Sequence, residues 1–323
     1  MRNIWNPWHG CKRCSPGCEH CYMYFLDAKR GVAEESSVCR RTQNFDYPLR
    51  KYRNGQYKLK SGERLSVNMT SDTFLEDADS WRDEMWDIVR QRPDLIFWFL
   101  TKRPERILDH LPKDWGDGWD HVSLNVTCEN QKMFDKRFPI LETIPAKHKG
   151  LCLAPLIGPI DVTPACKSGW IDEISVGGEN YDNPRPIMHD WVVDISNTCK
   201  KYGTNFCWYE SGTRVIKDGC LYEIPYKSLQ SKTAFFAGLN NFVKPIVYNL
   251  RLPDGSAVER GYQKCYNFDR CMFCSNQLMC NGCTGCGDCG LVDVALFSAD
   301  VFFEEQNRRL VNLGRTDLCN IGG

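Results

Sequence analysis

The chain lacks any long apolar run. Its longest, Leu95 to Leu100, is six residues, against the roughly 20 that a membrane-spanning helix needs. No membrane partner is expected. Net charge is absent too: 41 Lys and Arg balance 41 Asp and Glu, which removes a whole-chain electrostatic case for nucleic acid but allows a local basic face. The first residues hold no apolar stretch of signal-peptide type, so the expected location is the cytoplasm. There is no low-complexity tract. Aromatics are plentiful, with 16 Phe, 10 Trp and 13 Tyr in 323 residues, so a sizeable core is expected rather than disorder.

Cysteine is the residue in excess. Nineteen in a chain without a secretion signal argue against a disulfide framework, because a reducing compartment keeps thiols apart. Four stand at Cys11, Cys14, Cys18 and Cys21, and seven lie between Cys265 and Cys289. The others are scattered singly, as small buried hydrophobes usually are. Thiols clustered at intervals of two and three residues point to metal or iron–sulfur ligation.

Between residues 60 and 215 short apolar runs alternate with helical, charged stretches. The runs are 65–69, 95–101, 122–127, 151–156, 171–176 and 205–209, with starts 30, 27, 29, 20 and 34 residues apart, near the length of a βα unit. Between them, segments such as 79–91 are amphipathic, with Trp81, Met85, Ile88 and Val89 on one face. Strand then helix, repeated, predicts an α/β fold with a parallel sheet. With one more strand beside the N-terminal cysteines, six or seven units make a full or partial (β/α) barrel over residues 1–215. Residues 216–323 form a C-terminal extension whose segment 263–290 is rich in Cys and Gly, with helical character from 292 to 309.

Each run ends in polar residues: Thr70-Ser71-Asp72, Thr101-Lys102-Arg103, Thr127-Cys128-Glu129, Gly177-Gly178-Glu179 and Tyr209-Glu210-Ser211. Active sites of barrels and open α/β sheets lie at the carboxyl ends of strands, so these five are the expected rim of one site. Any one of them alone also fits an ordinary helix N-cap.

The N-terminal segment reads Trp5-Asn6-Pro7-Trp8-His9-Gly10-Cys11-Lys12-Arg13-Cys14-Ser15-Pro16-Gly17-Cys18-Glu19-His20-Cys21-Tyr22. Cys14, Cys18 and Cys21 have the spacing C-x3-C-x2-C. Three thiolates on a short loop can hold three irons of a [4Fe–4S] cube and leave the fourth open. Four cysteines within eleven residues can also bind Zn2+ tetrahedrally.

The three-cysteine spacing resembles that of radical S-adenosylmethionine enzymes. The whole run, with 69–72 (Met-Thr-Ser-Asp), 100–104 (Leu-Thr-Lys-Arg-Pro), 125–129 (Asn-Val-Thr-Cys-Glu) and 176–179 (Val-Gly-Gly-Glu), resembles phage- and mobile-element-associated three-cysteine-motif proteins across roughly residues 3–215. The resemblance implies a radical-SAM barrel, a [4Fe–4S] cluster and S-adenosyl-L-methionine as cofactor. It implies reductive cleavage to a 5′-deoxyadenosyl radical that abstracts hydrogen from substrate, with electrons from a flavodoxin- or ferredoxin-type donor. Family alignment places the third ligand at Cys11 and spacing places it at Cys14; Cys18 and Cys21 are ligands either way. The chain departs from the family pattern at Ala154-Pro155, where Glu-Pro is common, and at Tyr209, where a Lys is common.

The resemblance offers Gly177, Gly178 and Glu179 as contacts for the cofactor's amine, although this tripeptide follows about the sixth strand here rather than the second. A strand-end turn is the other reading. Lys102 and Arg103 suit a cofactor carboxylate or a substrate phosphate, or a solvated helix start. Asp72 and Glu129 are offered as ribose or substrate partners.

The C-terminal ligands are Cys265, Cys271, Cys274, Cys280, Cys283, Cys286 and Cys289. Their series resembles ferredoxin-type runs and the auxiliary-cluster domains of some radical-SAM enzymes. It implies one or two auxiliary [4Fe–4S] clusters, and paired C-x2-C units leave Zn2+ as the competitor. The expected activity is thus a radical-SAM enzyme acting on a nucleotide, nucleic acid or peptide. The alternative is a non-enzymatic zinc or iron–sulfur protein that binds nucleic acid or serves repair. A basic, aromatic surface would mark it, with Lys51–Lys60 as its best stretch.

Overall fold

The computed structural model describes residues 3–181, 183–244 and 246–258. Cys265 through Cys289, and the expected helix 292–309, lie outside the described residues. The fold is mixed α/β. Its strands are β1 (Asn3–Trp5), β2 (Arg64–Val67), β3 (Ile96–Thr101), β4 (Val122–Thr127), β5 (His148–Leu153), β6 (Glu173–Gly177) and β7 (Asn205–Glu210). They form one seven-stranded sheet in that sequential order. Sequential parallel order belongs to a singly wound sheet, in which each crossover adds its strand to the growing edge. A doubly wound sheet instead reverses direction at a switch point. The order is that of a partial (β/α) barrel.

The apolar runs of the sequence and these strands coincide closely, with one displacement. The run at 151–156 is centred three residues late, since the strand begins at His148 and ends before Ala154-Pro155. Lys149 hid its start. A lysine at a buried position reads as surface, yet Lys149 is 7% exposed and its ammonium donates to the carbonyls of Leu141, Glu142 and Ile144.

The chain divides into two compact units. Of the described residues, the first holds 3–127, 135–151 and 246–258. Here Trp5 pairs with Val67, Val67 with Phe99 and Phe99 with Leu124, one row across four strands with every member buried. The adjacent row, Ile4, Ser66, Trp98 and Ser123, points to the other face of the pleat, where Ile4 on the edge strand is 53% exposed but Ser66 and Ser123 are buried. Helix α1 is Tyr22–Lys29 and α2 is Asp79–Gln91. The buried face of α2 consists of Arg82, Met85, Trp86, Ile88 and Val89, and Trp86 packs 5.1 Å from Phe99 between ring centroids. Residues 246–258, beyond the last predicted strand, return to this unit: Ile246, Tyr248 and Leu250 bury against Ile96, and Arg251 N donates to Pro93 O.

The second unit holds 128–134, 152–181 and 183–244 of the described residues. Helix α3 (Gln131–Thr143) begins in it, followed by α4 (Thr163–Ser168), α5 (His189–Tyr202), the hairpin of β8 (Arg214–Lys217) with β9 (Cys220–Glu223), and α6 (Lys227–Phe236). Phe206 pairs with Ile174 and Trp208 with Val176, before a register shift ahead of Glu210.

Candidate functional site

The thiol loop belongs to the first unit. After β1 the chain pairs Trp8 and His9 antiparallel with Arg41 and Arg40 and then turns at Gly10. Gly10 has φ +95°, and a Cβ there would lie 2.2 Å from the Val38 carbonyl oxygen. No other residue fits. Gly10 N donates to Thr70 O at 3.2 Å, Ser71 Oγ donates to Gly10 O at 2.5 Å, and Cys11 N donates to Ser36 O at 3.0 Å. A short turn through Pro16 carries Cys18, whose N–H donates to Ser15 O, and Cys21 directly precedes α1. From that helix Tyr24 donates to the Cys11 carbonyl and Tyr22 to the Met69 carbonyl. The loop is thereby stitched to the segment that follows β2.

That segment carries Asp72, which is 5% exposed. Its Oδ1 accepts from Thr101 Oγ1 at 2.6 Å and Phe74 N at 2.9 Å; its Oδ2 accepts from Lys102 N at 2.8 Å and lies 3.2 Å from Arg103 Nη1. Arg103 Nη2 reaches back to the Lys12 carbonyl at 2.9 Å. Asp72 thus joins the ends of β2 and β3, and Arg103 ties both to the thiol loop. Arg82 of α2 anchors the same segment through the Thr73 and Leu75 carbonyls. Sequence reasoning missed Arg82, because a charged residue on an amphipathic helix reads as solvent-facing. It gave Gly10 no role, and it placed Ser71 on the rim without its bond to Gly10, because both depend on which backbones approach them.

The four thiols are unlinked; Cys11, Cys18 and Cys21 are half-buried and Cys14 is exposed. Burial pushes Cys11 up to about 12, helped by the Asp72 carboxylate and opposed by Arg103. Cys18 is lowered to about 5 by the hydrogen bond it accepts from Cys14 and by the Lys102 ammonium. Cys14, as the donor of that bond, is raised. Burial raises Cys21, and Lys102 works against it. Lys102 and Arg103 therefore stand where they favour thiolates, the form that ligates metal.

Gly177, Gly178, Glu179 and Glu129 belong to the second unit. A Cβ at Gly178 would lie 2.3 Å from the Ser211 carbonyl oxygen, so the backbone after β7 requires that glycine, whereas a Cβ at Gly177 would meet only the end of the Tyr209 side chain, at 2.7 Å. Glu179 is 5% exposed, and its carboxylate accepts from Arg185 N and Nε, each at 2.9 Å, and from Arg185 Nη2. Glu129 is fully buried, and its backbone oxygen accepts from Ile157 N at 2.9 Å. Of the residues singled out by the sequence, the structure brings together the four N-terminal cysteines, Asp72, Lys102 and Arg103.

Among the described residues no group of three or more Cys, His, Asp or Glu side chains is arranged to hold a metal ion. The donor set nonetheless fits an iron–sulfur cluster or zinc in its chemistry. It supplies four free thiols on one loop, electrostatically coupled to one another, with two cations beside them.

A family model described as "Protein of unknown function (DUF5131)" matches residues 1–251. No curated protein and no solved structure matches the chain.

Proposed function

The chain belongs to the DUF5131 family, and we propose that it is a radical S-adenosylmethionine enzyme with a barrel of that type. Its [4Fe–4S] cluster is held by Cys18, Cys21 and a third cysteine of the loop. The observation that carries this reading is the thiol loop fastened to the carboxyl ends of β2 and β3 by Gly10, Ser71 and Arg103. In a βα barrel that end bears the chemistry. Cys11 suits the third position, since it is half-buried and coupled to both Cys18 and Cys21, whereas Cys14 is exposed.

When bound, such a cluster supplies the electron that cleaves S-adenosylmethionine to the hydrogen-abstracting radical. The chain's own residues do the rest. Lys102 and Arg103 offset the charge of gathered thiolates, and Asp72 orients both through the Lys102 N–H and the Arg103 guanidinium. Within the second unit, Arg185 holds the Glu179 carboxylate. We assign Cys265 to Cys289 to one or two auxiliary clusters, with zinc as the competing occupant, and a flavodoxin- or ferredoxin-type protein as electron donor.

The test is anaerobic purification, metal and sulfide analysis, and a dithionite-driven assay for 5′-deoxyadenosine. More than about four irons per chain, with product formed, is the expected result, as one cube holds four. Cys11→Ala should abolish product and Cys14→Ala should retain it. Zinc with no iron would overturn the proposal in favour of a zinc protein that binds nucleic acid.

A further inference from the structure

An open cavity of about 700 Å3 lies in the first unit beside the thiol loop, reaching from Asn6 and His9 to Thr70. Its walls carry four arginines, Arg30, Arg40, Arg41 and Arg50, and one carboxylate, Asp27. That carboxylate is spent internally: it is 1% exposed, with His9 Nε2 at 2.8 Å and Ser36 Oγ at 2.9 Å on the same oxygen.

The arginines fall into two pairs. Arg41 and Arg50 are held rigidly. Arg41 forms a two-pronged pair with Glu84 over the Phe45 ring, and Arg50 is bound by Asp46 and Asn44. Their carboxylate partners do not line the cavity. Arg30 and Arg40 keep donors in reserve. Arg40 uses Nη1 on Glu35, and Arg30 has only a 3.7 Å contact with Asp27. Their remaining N–H groups have no acceptor among the described residues. Thr70 is on the same wall, and its Oγ1 is buried with no hydrogen-bond partner.

We infer that this cavity is a phosphate-binding site for a nucleotide, free or within a polynucleotide strand. Planar guanidinium forks match phosphate oxygens, and the orphaned hydroxyl supplies a further donor. The volume lies in the range of small-ligand sites, and Tyr47 on the wall offers a ring for a base. Phosphate capture here needs no metal. That the bound nucleotide is the substrate rests on the enzyme reading above.

The experiment is fluorescence anisotropy on the full chain with a labelled single-stranded oligonucleotide, competed by AMP and by inorganic phosphate across a salt series. Arg30→Gln and Arg40→Gln should each weaken binding about tenfold and lower the slope of log affinity against log salt by about one. Lys113→Gln, exposed and outside the cavity, should leave both unchanged. Competition by AMP assigns a free nucleotide; binding of the oligonucleotide alone assigns a strand. The inference is overturned by no binding, by a salt slope unaltered in both arginine variants, or by tighter binding of a polyglutamate peptide. Iron content and 5′-deoxyadenosine yield, read on the same preparations, report the enzyme reading separately.

Discussion

His121 is a residue whose burial sets a pH dependence. It is 7% exposed, ring-stacked against Trp119 at 5.6 Å, and its Nε2 contacts Val89 O at 3.1 Å. Burial lowers it from 6.5 to about 4, against a weaker pull from the Val89 carbonyl. Between those values the unfolded chain binds a proton that the folded chain refuses. Stability is therefore complete above 6.5 and falls as pH drops towards 4, by up to about 3 kcal/mol from this group. Urea unfolding from pH 7 to 4 should show a shallower fall for His121→Gln than for the parent chain. Parallel profiles would refute the assignment. The surrounding aromatic shell was legible as composition, but no pattern marked this histidine as neutral.

At the scale of elements, Lys149 of β5 closes the last turn of α3 through three carbonyls, those of Leu141, Glu142 and Ile144. A helix end leaves such groups without intrahelical partners. Burial lowers the Lys149 pKa, and the Glu142 carboxylate opposes that shift. Lys149→Met should destabilise the chain by about 2 kcal/mol, since it strands buried acceptors. Thermal unfolding checks this, and an unchanged or higher Tm would show that the carbonyls find other partners. The βα alternation was readable because a strand and an amphipathic helix impose different hydrophobic periods. Their joint was not, because a buried cation contradicts the strand pattern it serves. The return of 246–258 to pack on Ile96 was hidden for another reason: its few apolar residues have no period until β3 supplies the surface.

For the whole molecule, the family match ends at residue 251, ahead of Cys265 to Cys289. On the proposed reading the N-terminal thiols do the shared chemistry, while the C-terminal series adds to it. Replacing Cys271 and Cys274 together with Ser should lower iron by about four per chain, the content of one cube. The N-terminal cluster's electron paramagnetic resonance signal should persist after dithionite reduction. Loss of that signal as well would mean that the two cysteine groups serve one centre.

By itself the sequence determined the strand–helix alternation, the positions of five strands and, three residues late, of a sixth, and the loop of clustered thiols, since period and spacing are local properties. It also identified Asp72, Lys102 and Arg103 by their place after strands. Only the tertiary structure decided what those side chains touch. Gly178 is required by the backbone after β7, Glu179 is engaged by Arg185, and Arg103 braces the thiol loop. It alone gathered Arg30, Arg40, Arg41 and Arg50 around one cavity. Arg40 and Arg41 are neighbours in sequence, but Arg30 and Arg50 lie ten and nine residues away from them, and only folding sets all four on one wall.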